Sequence, residues 1–464
     1  MCNKKILLVV SLIIVLISTI TLSACKNSTK TSGQLVVDYD VKCSLDDESK
    51  AMYLNCTINL TNGTNQSIKE LPFYLYPNAY KEEGGNVTIS NVSTRARDLI
   101  YNIEGINMLV SLGEEMLPNE SEEITISGRI SLPKGNGRIG YGEDYYNLHA
   151  FFPRLAYFER DRFVVVPYSK IGDPYYWGQD DVVIKINYPL EFQLAHSGEV
   201  ISTNENEKYA ESVINIDNAR DVALTLVKNY NLYKNEVNGV RILQYSKEGE
   251  DYTQYMKECL QYFISEIGEY PYSVFTMAET PFDYGGMEYS GFILVNEKAK
   301  EKEYVIAHEI IHQWFGIAIG SNSFEECWVD ESLTNFLTYY YMGIYNKGDH
   351  NEIIEKEKEI YKTYIENGKE KYGTGYAPRL DAKLNEFRTM SEYSNMVYGY
   401  GAIMYDGIYK VIGDKKFKKA VKDYYKKYNG KVVSGQELQA TFSKSVGKKV
   451  EGIFNGYIEN KVLF

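Results

Sequence analysis

The hydrophobic pattern divides the chain into four stretches. Ile6 to about Leu22 is one apolar, uncharged run behind Lys4 and Lys5. Lys26 to Gly33 is small and polar, which reads as a flexible tether. From residue 34 to about 230 apolar positions recur every second residue, as strands require. Val36–Val41, Met52–Ile58, Glu122–Ile130 and Val182–Tyr188 show it most clearly, and Asn62-Gly63 marks a turn. After about Asn231 the period becomes mixed. Val240–Tyr245 and Val274–Ala278 predict strands, Asp251–Ile267 predicts a helix, and Gly285–Val295 predicts a glycine-led edge segment with strand character.

Tyr304–Ile311 is apolar and free of Gly and Pro, and Trp328–Leu337 follows it as a second helix, with Gly316–Ser323 as the intervening turn. Asn351–Asn367 predicts a charged helix with a solvated face. Gly368–Asn395 predicts an irregular polar stretch. Further helices are expected over Ala402–Val411, Asp414–Tyr428, Ser434–Val446 and Val450–Asn460. The expected organisation is a targeting segment (1–24), a tether (25–33), an all-β domain (34–230) and an α+β domain (231–464).

Composition narrows the partners. The formal charge is -13, and removing a segment with two lysines and no acid takes it to -15. Such a surface argues against nucleic acid, which needs a basic face. Small residues before a cysteine at the end of an apolar run (Leu22-Ser23-Ala24-Cys25) resemble a bacterial lipoprotein cleavage box. Cleavage and lipidation at Cys25 is the better reading, and an uncleaved anchor is the alternative. Either places the protein outside the cytoplasm, held at a bacterial cell membrane. There a disulfide between Cys43 and Cys56, across the turn at Asp46–Ser49, and a pair of reduced buried thiols are both open. The Tyr145–Pro153 aromatic cluster reads as core or domain contact, and His196 as an ordinary polar position.

The chemistry concentrates in His308-Glu309-Ile310-Ile311-His312 and Glu331. Residues four apart share a helix face, so both imidazoles reach one ion. Glu309 sits about 100° round the helix, beside the metal, where it can take a proton from a water. A catalytic zinc needs three protein ligands and an open position, and Glu331 is the third. With five histidines in the chain, an accidental arrangement of this kind is on the order of one chance in a few hundred. A structural zinc site would recruit a fourth ligand such as Cys327, although a cysteine there reads more often as a small buried hydrophobe. Asp330 reads either as a residue orienting a ligand or as an acid of the first helical turn.

Three motifs in order carry a more specific resemblance: His308–Gly316 with Glu331; Gly285-Gly286-Met287-Glu288-Tyr289 upstream; and Tyr398-Gly399-Tyr400-Gly401-Ala402 downstream. Together they resemble the gluzincin aminopeptidases, the membrane alanyl aminopeptidase family. The resemblance implies an N-terminal β domain followed by a thermolysin-like catalytic domain and one zinc ion. Peptides with a free N-terminus are the implied substrates. Gly285, Gly286 and Met287 would then present backbone to the substrate, Glu288 would pair with its α-amine, and Tyr398 would support the oxyanion. The sequence departs from the family at Tyr289, where Asn is usual, and at Tyr400, where Lys is usual. The large helical C-terminal domain of many family aminopeptidases is not expected here. A zinc endopeptidase on the same site and a non-catalytic surface binding protein on this fold are the competing readings.

Overall fold

The structure is a computed structural model that describes residues 33–447 and 449–458. The leader, Cys25 and most of the tether therefore lie outside the described residues. Among the described residues no helix is long and apolar enough to cross a membrane.

The alternating stretch builds four sheets. The largest has seven strands in the order Glu199–Glu205, Tyr209–Ala219, Asp180–Pro189, Leu35–Asp46, Ala51–Asn62, Ser121–Ser131 and Asn86–Thr94. Its inward positions (Val41, Cys56, Ile58, Ile124, Ile126, Ile184) are fully buried, while the residues between them face outward. This is the alternation expected of a sheet with one face on a core. In the first hairpin Val41 pairs with Cys56 and Cys43 with Leu54, so the two cysteines are staggered along the strands. Both are buried free thiols. Two four-stranded sheets, one of them holding Gln193–His196, Ala223–Val227, Tyr145–His149 and Ile139–Tyr141, and the two-stranded Tyr157–Glu159 with Arg162–Val164 complete this part.

The aromatic segment thus forms a buried strand, and it does join the two halves. The His149 ring lies 4.4 Å from that of Tyr289, and the Asn147 amide donates to Thr280 Oγ1 at 3.2 Å. His196 is not an ordinary polar position. It is 7% exposed, its Nδ1 lies 3.2 Å from the Gly198 carbonyl, and burial lowers its pKa to about 4.

From Asn231 a five-stranded mixed sheet begins, in the order Asn231–Val237, Val240–Ser246, Val274–Thr280, Phe292–Asn296 and Gly286–Tyr289. The central strands run parallel and the outer ones antiparallel. The glycine-led segment is therefore two strands rather than one. The turn falls at Ser290-Gly291, where φ is +68°, and Gly286–Tyr289 is left on the sheet edge.

Helices pack beside this sheet: α1 (Thr253–Glu266), α2 (Lys302–His312), α3 (Trp328–Tyr345) and α4 (His350–Tyr372). The α2–α3 connection is more than a turn, because Gly320–Ser321 pairs in parallel with Val432–Val433. Gly368–Tyr372 continues α4, so the irregular stretch is shorter than the composition implies, and Met390–Tyr393 is helical. Ser394–Tyr400 is a π-helical turn leading into the helix Gly401–Ile412. Tyr398 thus sits inside a π-helical segment rather than just ahead of a helix. The later helices are Asp414–Tyr428, Gly435–Val446 and Lys449–Ile458. One apolar core spans all of these elements, and its largest buried members include Trp314, Trp328 and Tyr400.

Arg220 locks the two halves. Its buried guanidinium donates to the carbonyls of Ile317 (2.7 Å), Trp177 (2.6 Å) and Lys431 (3.2 Å). A Cβ on Gly320 would stand 2.3 Å from its Cζ, so only glycine permits this approach.

Candidate metal centre and active site

Helix α2 presents His308 and His312 on one face, and α3 brings Glu331 across to them. His308 Nε2 and His312 Nε2 are 3.0 Å apart, and Glu331 Oε2 lies 3.2 and 3.1 Å from them. All three side chains are buried. Donors about 2.0–2.1 Å from a tetrahedral zinc stand roughly 3.3 Å apart, so the spacing fits that ion. The His312 Nδ1–H donates to the Phe315 carbonyl at 2.8 Å, which leaves Nε2 with its lone pair toward the centre. Thr338 Oγ1, itself donating to the Thr334 carbonyl, stands 3.5 Å from His308 Nδ1. Cys327 is outside this group; its thiol faces the Ala382 carbonyl at 3.8 Å.

The electrostatics follow from burial and crowding. Burial works against ionisation of Glu331, but His312 and His308 hold its carboxyl below the usual range. Burial alone would lower His312, yet Glu288 and Glu331 keep it well above an ordinary histidine. Burial raises Glu309 to about 8, with Glu331 and Asp173 adding to the rise. Its Oε2 is buried without a hydrogen-bond partner. A carboxylate with a free oxygen beside the ligand set is placed to act as a general base.

Glu288 projects from the edge strand. Its Oε1 lies 3.8 Å from His312 Nδ1, and burial raises its pKa well above the usual carboxylate value, with the Glu309 charge adding to the rise. Gly286 sits against Glu309: an added Cβ would meet Glu309 Oε1 at 2.5 Å. Gly285 lines the cleft, and the Met287 sulfur accepts from Arg138 Nε at 3.3 Å.

Tyr398 stacks on His308, with ring centroids 5.5 Å apart. The π-helical turn that carries it is tied to α3: Ser332 Oγ donates to the Val397 carbonyl (2.7 Å) and Asn335 Nδ2 to the Tyr398 carbonyl (3.1 Å). Gly401 is required there, because a Cβ would lie 2.0 Å from Ser332 Oγ. Burial raises the Tyr398 phenol well above its usual value, and Glu331 adds to this, so it stays a proton donor at neutral pH.

Asp330 does not touch a ligand side chain. Its Oδ2 accepts from Ser321 Oγ (3.0 Å) and Ser323 Oγ (3.1 Å), and its Oδ1 from the Glu331 backbone N–H (3.0 Å). It holds the α2–α3 connection to the start of α3, and orients Glu331 only through the backbone.

A cavity of 590 Å³ opens over the centre. Several of its walls carry no sequence signal. Arg138 and Asp173 reach in from loops of the N-terminal part and form a buried ion pair. The Arg138 guanidinium lies 4.7 Å from the Tyr284 ring centroid and 5.7 Å from that of Tyr175. Tyr304, Tyr339 and Glu357 line another wall.

The likeness to known proteins agrees with this layout. A solved M1 zinc metallopeptidase from Deinococcus radiodurans superposes with a TM-score of 0.71 at 15% identity, covering 93% of this chain and 95% of that one. A variant of it bound to a Tyr-Ser-Ala substrate gives 0.72 at 14%, over the same shares. The fold is thus that of an M1-type zinc metallopeptidase, an N-terminal β-rich part followed by the catalytic part. Residues 251–457 match the Peptidase family M1 domain. Among relatives, Aminopeptidase N of Lactococcus lactis is 24% identical over 203 residues, which is 39% of this chain and 23% of that protein. Leucyl aminopeptidase of Saccharolobus solfataricus is 24% identical over 216 residues, 42% and 26% respectively. The matches therefore span about a quarter of the length of these relatives.

Proposed function

We propose that the protein is a zinc-dependent aminopeptidase that releases N-terminal residues from peptides outside the cytoplasm, tethered to the bacterial membrane through lipidated Cys25. His308, His312 and Glu331 would hold the ion. When bound, zinc supplies Lewis acidity for the scissile carbonyl and for the attacking water. Glu309 accepts the proton of that water and delivers it to the leaving amine. The Tyr398 hydroxyl donates to the oxygen that gains charge as the carbonyl is attacked, a contact made strongest in the transition state. Glu288 receives the α-ammonium of the substrate, and the free side of the edge strand Gly286–Tyr289 offers it backbone hydrogen bonds.

The observation that carries the exopeptidase reading is the wall behind Glu288. Arg138 bonds Met287, pairs with Asp173 and packs on Tyr284. The N-terminal half thus contributes Arg138 and Asp173 to the cleft wall on the side of the glycine-led strand that carries Glu288, which supports a site for a chain end there. The test is hydrolysis of free-amine peptides and their N-acetylated copies by the chain from residue 33, with zinc, with chelator and as Glu309→Gln. Cleavage of free amines alone, abolished by chelator and by Glu309→Gln, is expected. Internal cutting of acetylated peptides would make the protein an endopeptidase. Zinc binding without any cleavage would leave a binding protein.

A further inference from the structure

On one side the cavity is lined by Arg138, Asp173, Gly285 and Gly286. Glu288 follows on the same strand, beside His312. On the other side Tyr304 stacks on His308, with centroids 6.2 Å apart. Tyr304 leads to Tyr339, whose ring is 5.8 Å away, and the Tyr339 hydroxyl donates to Glu357 Oε2 at 3.0 Å. A substrate with its amine on Glu288 and its first carbonyl at the metal centre must continue toward this second end. The side chain after the scissile bond therefore meets Tyr304, Tyr339, Glu357 and Ile360.

Glu357 is unusual among the acids of α4. Its neighbour Lys358 turns instead to Glu355 (2.7 Å) and Asp406 (4.0 Å). Among the described residues no cation stands opposite Glu357, and Tyr339 is its hydrogen-bond donor. At the other end, by contrast, Asp173 already has Arg138. A half-buried carboxylate without a cation, walled by two tyrosine rings and opening into a cleft, suits a cationic side chain. Ile360 (54% exposed) and Met390 (38% exposed) line the same cavity and offer apolar surface to an alkyl stem. The net charge of -13 favours the approach of basic peptides over the whole surface.

Resting on the aminopeptidase reading, we propose that Glu357 is a specificity determinant that selects peptides with lysine or arginine immediately after the scissile bond. The probe is binding, so that the result does not depend on turnover. Zinc-loaded Glu309→Gln protein is titrated by calorimetry with Ala-Lys-Ala, Ala-Gln-Ala and Ala-Glu-Ala, each with a free N-terminus. The lysine peptide should bind about tenfold more tightly than the glutamine peptide, and the glutamate peptide most weakly. Adding Glu357→Gln, which is isosteric and still accepts from Tyr339, should bring the lysine-to-glutamine ratio close to one. Adding Tyr339→Phe instead keeps the carboxylate and should preserve the ratio. Equal binding of the three peptides, no binding of any, or a ratio unmoved by Glu357→Gln overturns the proposal. A uniform loss across all peptides in the Glu357→Gln protein also overturns it, since that marks a purely structural role. The wild-type chain is assayed in parallel on Ala-Leu-Ala. Hydrolysis there together with equal binding of the three charged and neutral peptides defeats this inference alone, whereas absence of hydrolysis defeats the aminopeptidase reading.

Discussion

Replacing Gly286 by alanine isolates the position of the general base from every other property of the site. A Cβ at residue 286 would stand 2.5 Å from Glu309 Oε1, 2.8 Å from Glu309 Cγ and 2.8 Å from Val305 Cγ1. Ordinary contact begins at 3.4 Å, so the carboxylate must withdraw by about 0.9 Å, a distance at which misplacement near a reacting centre costs about 10²-fold in rate. The backbone does not object, because Gly286 is not among the residues with positive φ. Relief of the two 2.8 Å contacts costs about 1 kcal/mol or more, against which the lower entropy of the unfolded chain returns about 0.5 kcal/mol, so stability should fall slightly. Gly285→Ala is the control: its Cβ meets only Val305 Cγ2, at 3.6 Å. The assay is kcat and KM on a free-amine dipeptide substrate, with zinc content and a thermal melt for each variant. Gly286→Ala should lose about a hundredfold in kcat with full zinc and a melt lowered by only a few degrees, while Gly285→Ala stays within a few-fold of wild type. Equal losses in the two variants, or a loss that tracks zinc content, would refute the idea that Gly286 exists to seat Glu309.

Tyr398→Phe should lower kcat by about 10²–10³ with little change in KM, because the hydroxyl acts on charge that develops only during reaction; a change confined to KM would contradict this. Removing zinc with a chelator should lower the melting temperature, and restoring zinc at a thousand times its Kd should return about 4 kcal/mol of stability; an unshifted melt in calorimetry would mean that the three buried ligands hold no ion. Asp221 is buried, and burial raises its pKa from 3.8 to about 7. The folded state therefore holds this proton more tightly than the unfolded chain, and native stability falls as pH rises from about 4 through about 7, by a total on the order of 4 kcal/mol. Asp221→Asn should be more stable than wild type by that amount above pH 7 and equal to it near pH 3, as read from denaturant melts across pH. Arg220→Met leaves the carbonyls of Ile317, Trp177 and Lys431 without their shared donor and should cost about 3 kcal/mol; a loss below about 0.5 kcal/mol would show that water replaces the guanidinium.

What could be read from the sequence is what local periodicity encodes. The i, i+4 spacing of His308 and His312 needs only a helix to become a chelating pair, and α2 supplies it. Alternation likewise announced strands of the seven-stranded sheet, though not their order, since Val41, Ile58 and Ile184 each sit two residues from the next inward side chain. Side chains that act across the fold left no such trace. Arg138 and Asp173 reach the cleft from a part of the chain more than a hundred residues before α2, and nothing in their neighbours distinguishes them from surface charges. His196 looked polar because its burial depends on sheet packing, and the serine partners of Asp330 were not legible because they come from the α2–α3 connection. The π-helical turn that carries Tyr398 has no propensity signature of its own; it exists because Ser332 and Asn335 of α3 bind its carbonyls.

Glu357 shows most clearly why a charge pattern is a weak guide to a site. In sequence it is one acid in an alternating run, Glu355-Lys356-Glu357-Lys358-Glu359, the composition of a solvated helix face. A helix turns about 100° per residue, so these five charges point in different directions. Glu355 is exposed and paired with Lys358, whereas Glu357 turns inward to Tyr339. Burial raises its pKa, the Tyr339 hydrogen bond only partly opposing this, and a carboxylate kept there without a counter-cation works against stability. Folding alone gives no reason to hold a charge at that point of the cleft wall. Recognition of a cationic substrate does, because the missing partner then arrives with the peptide.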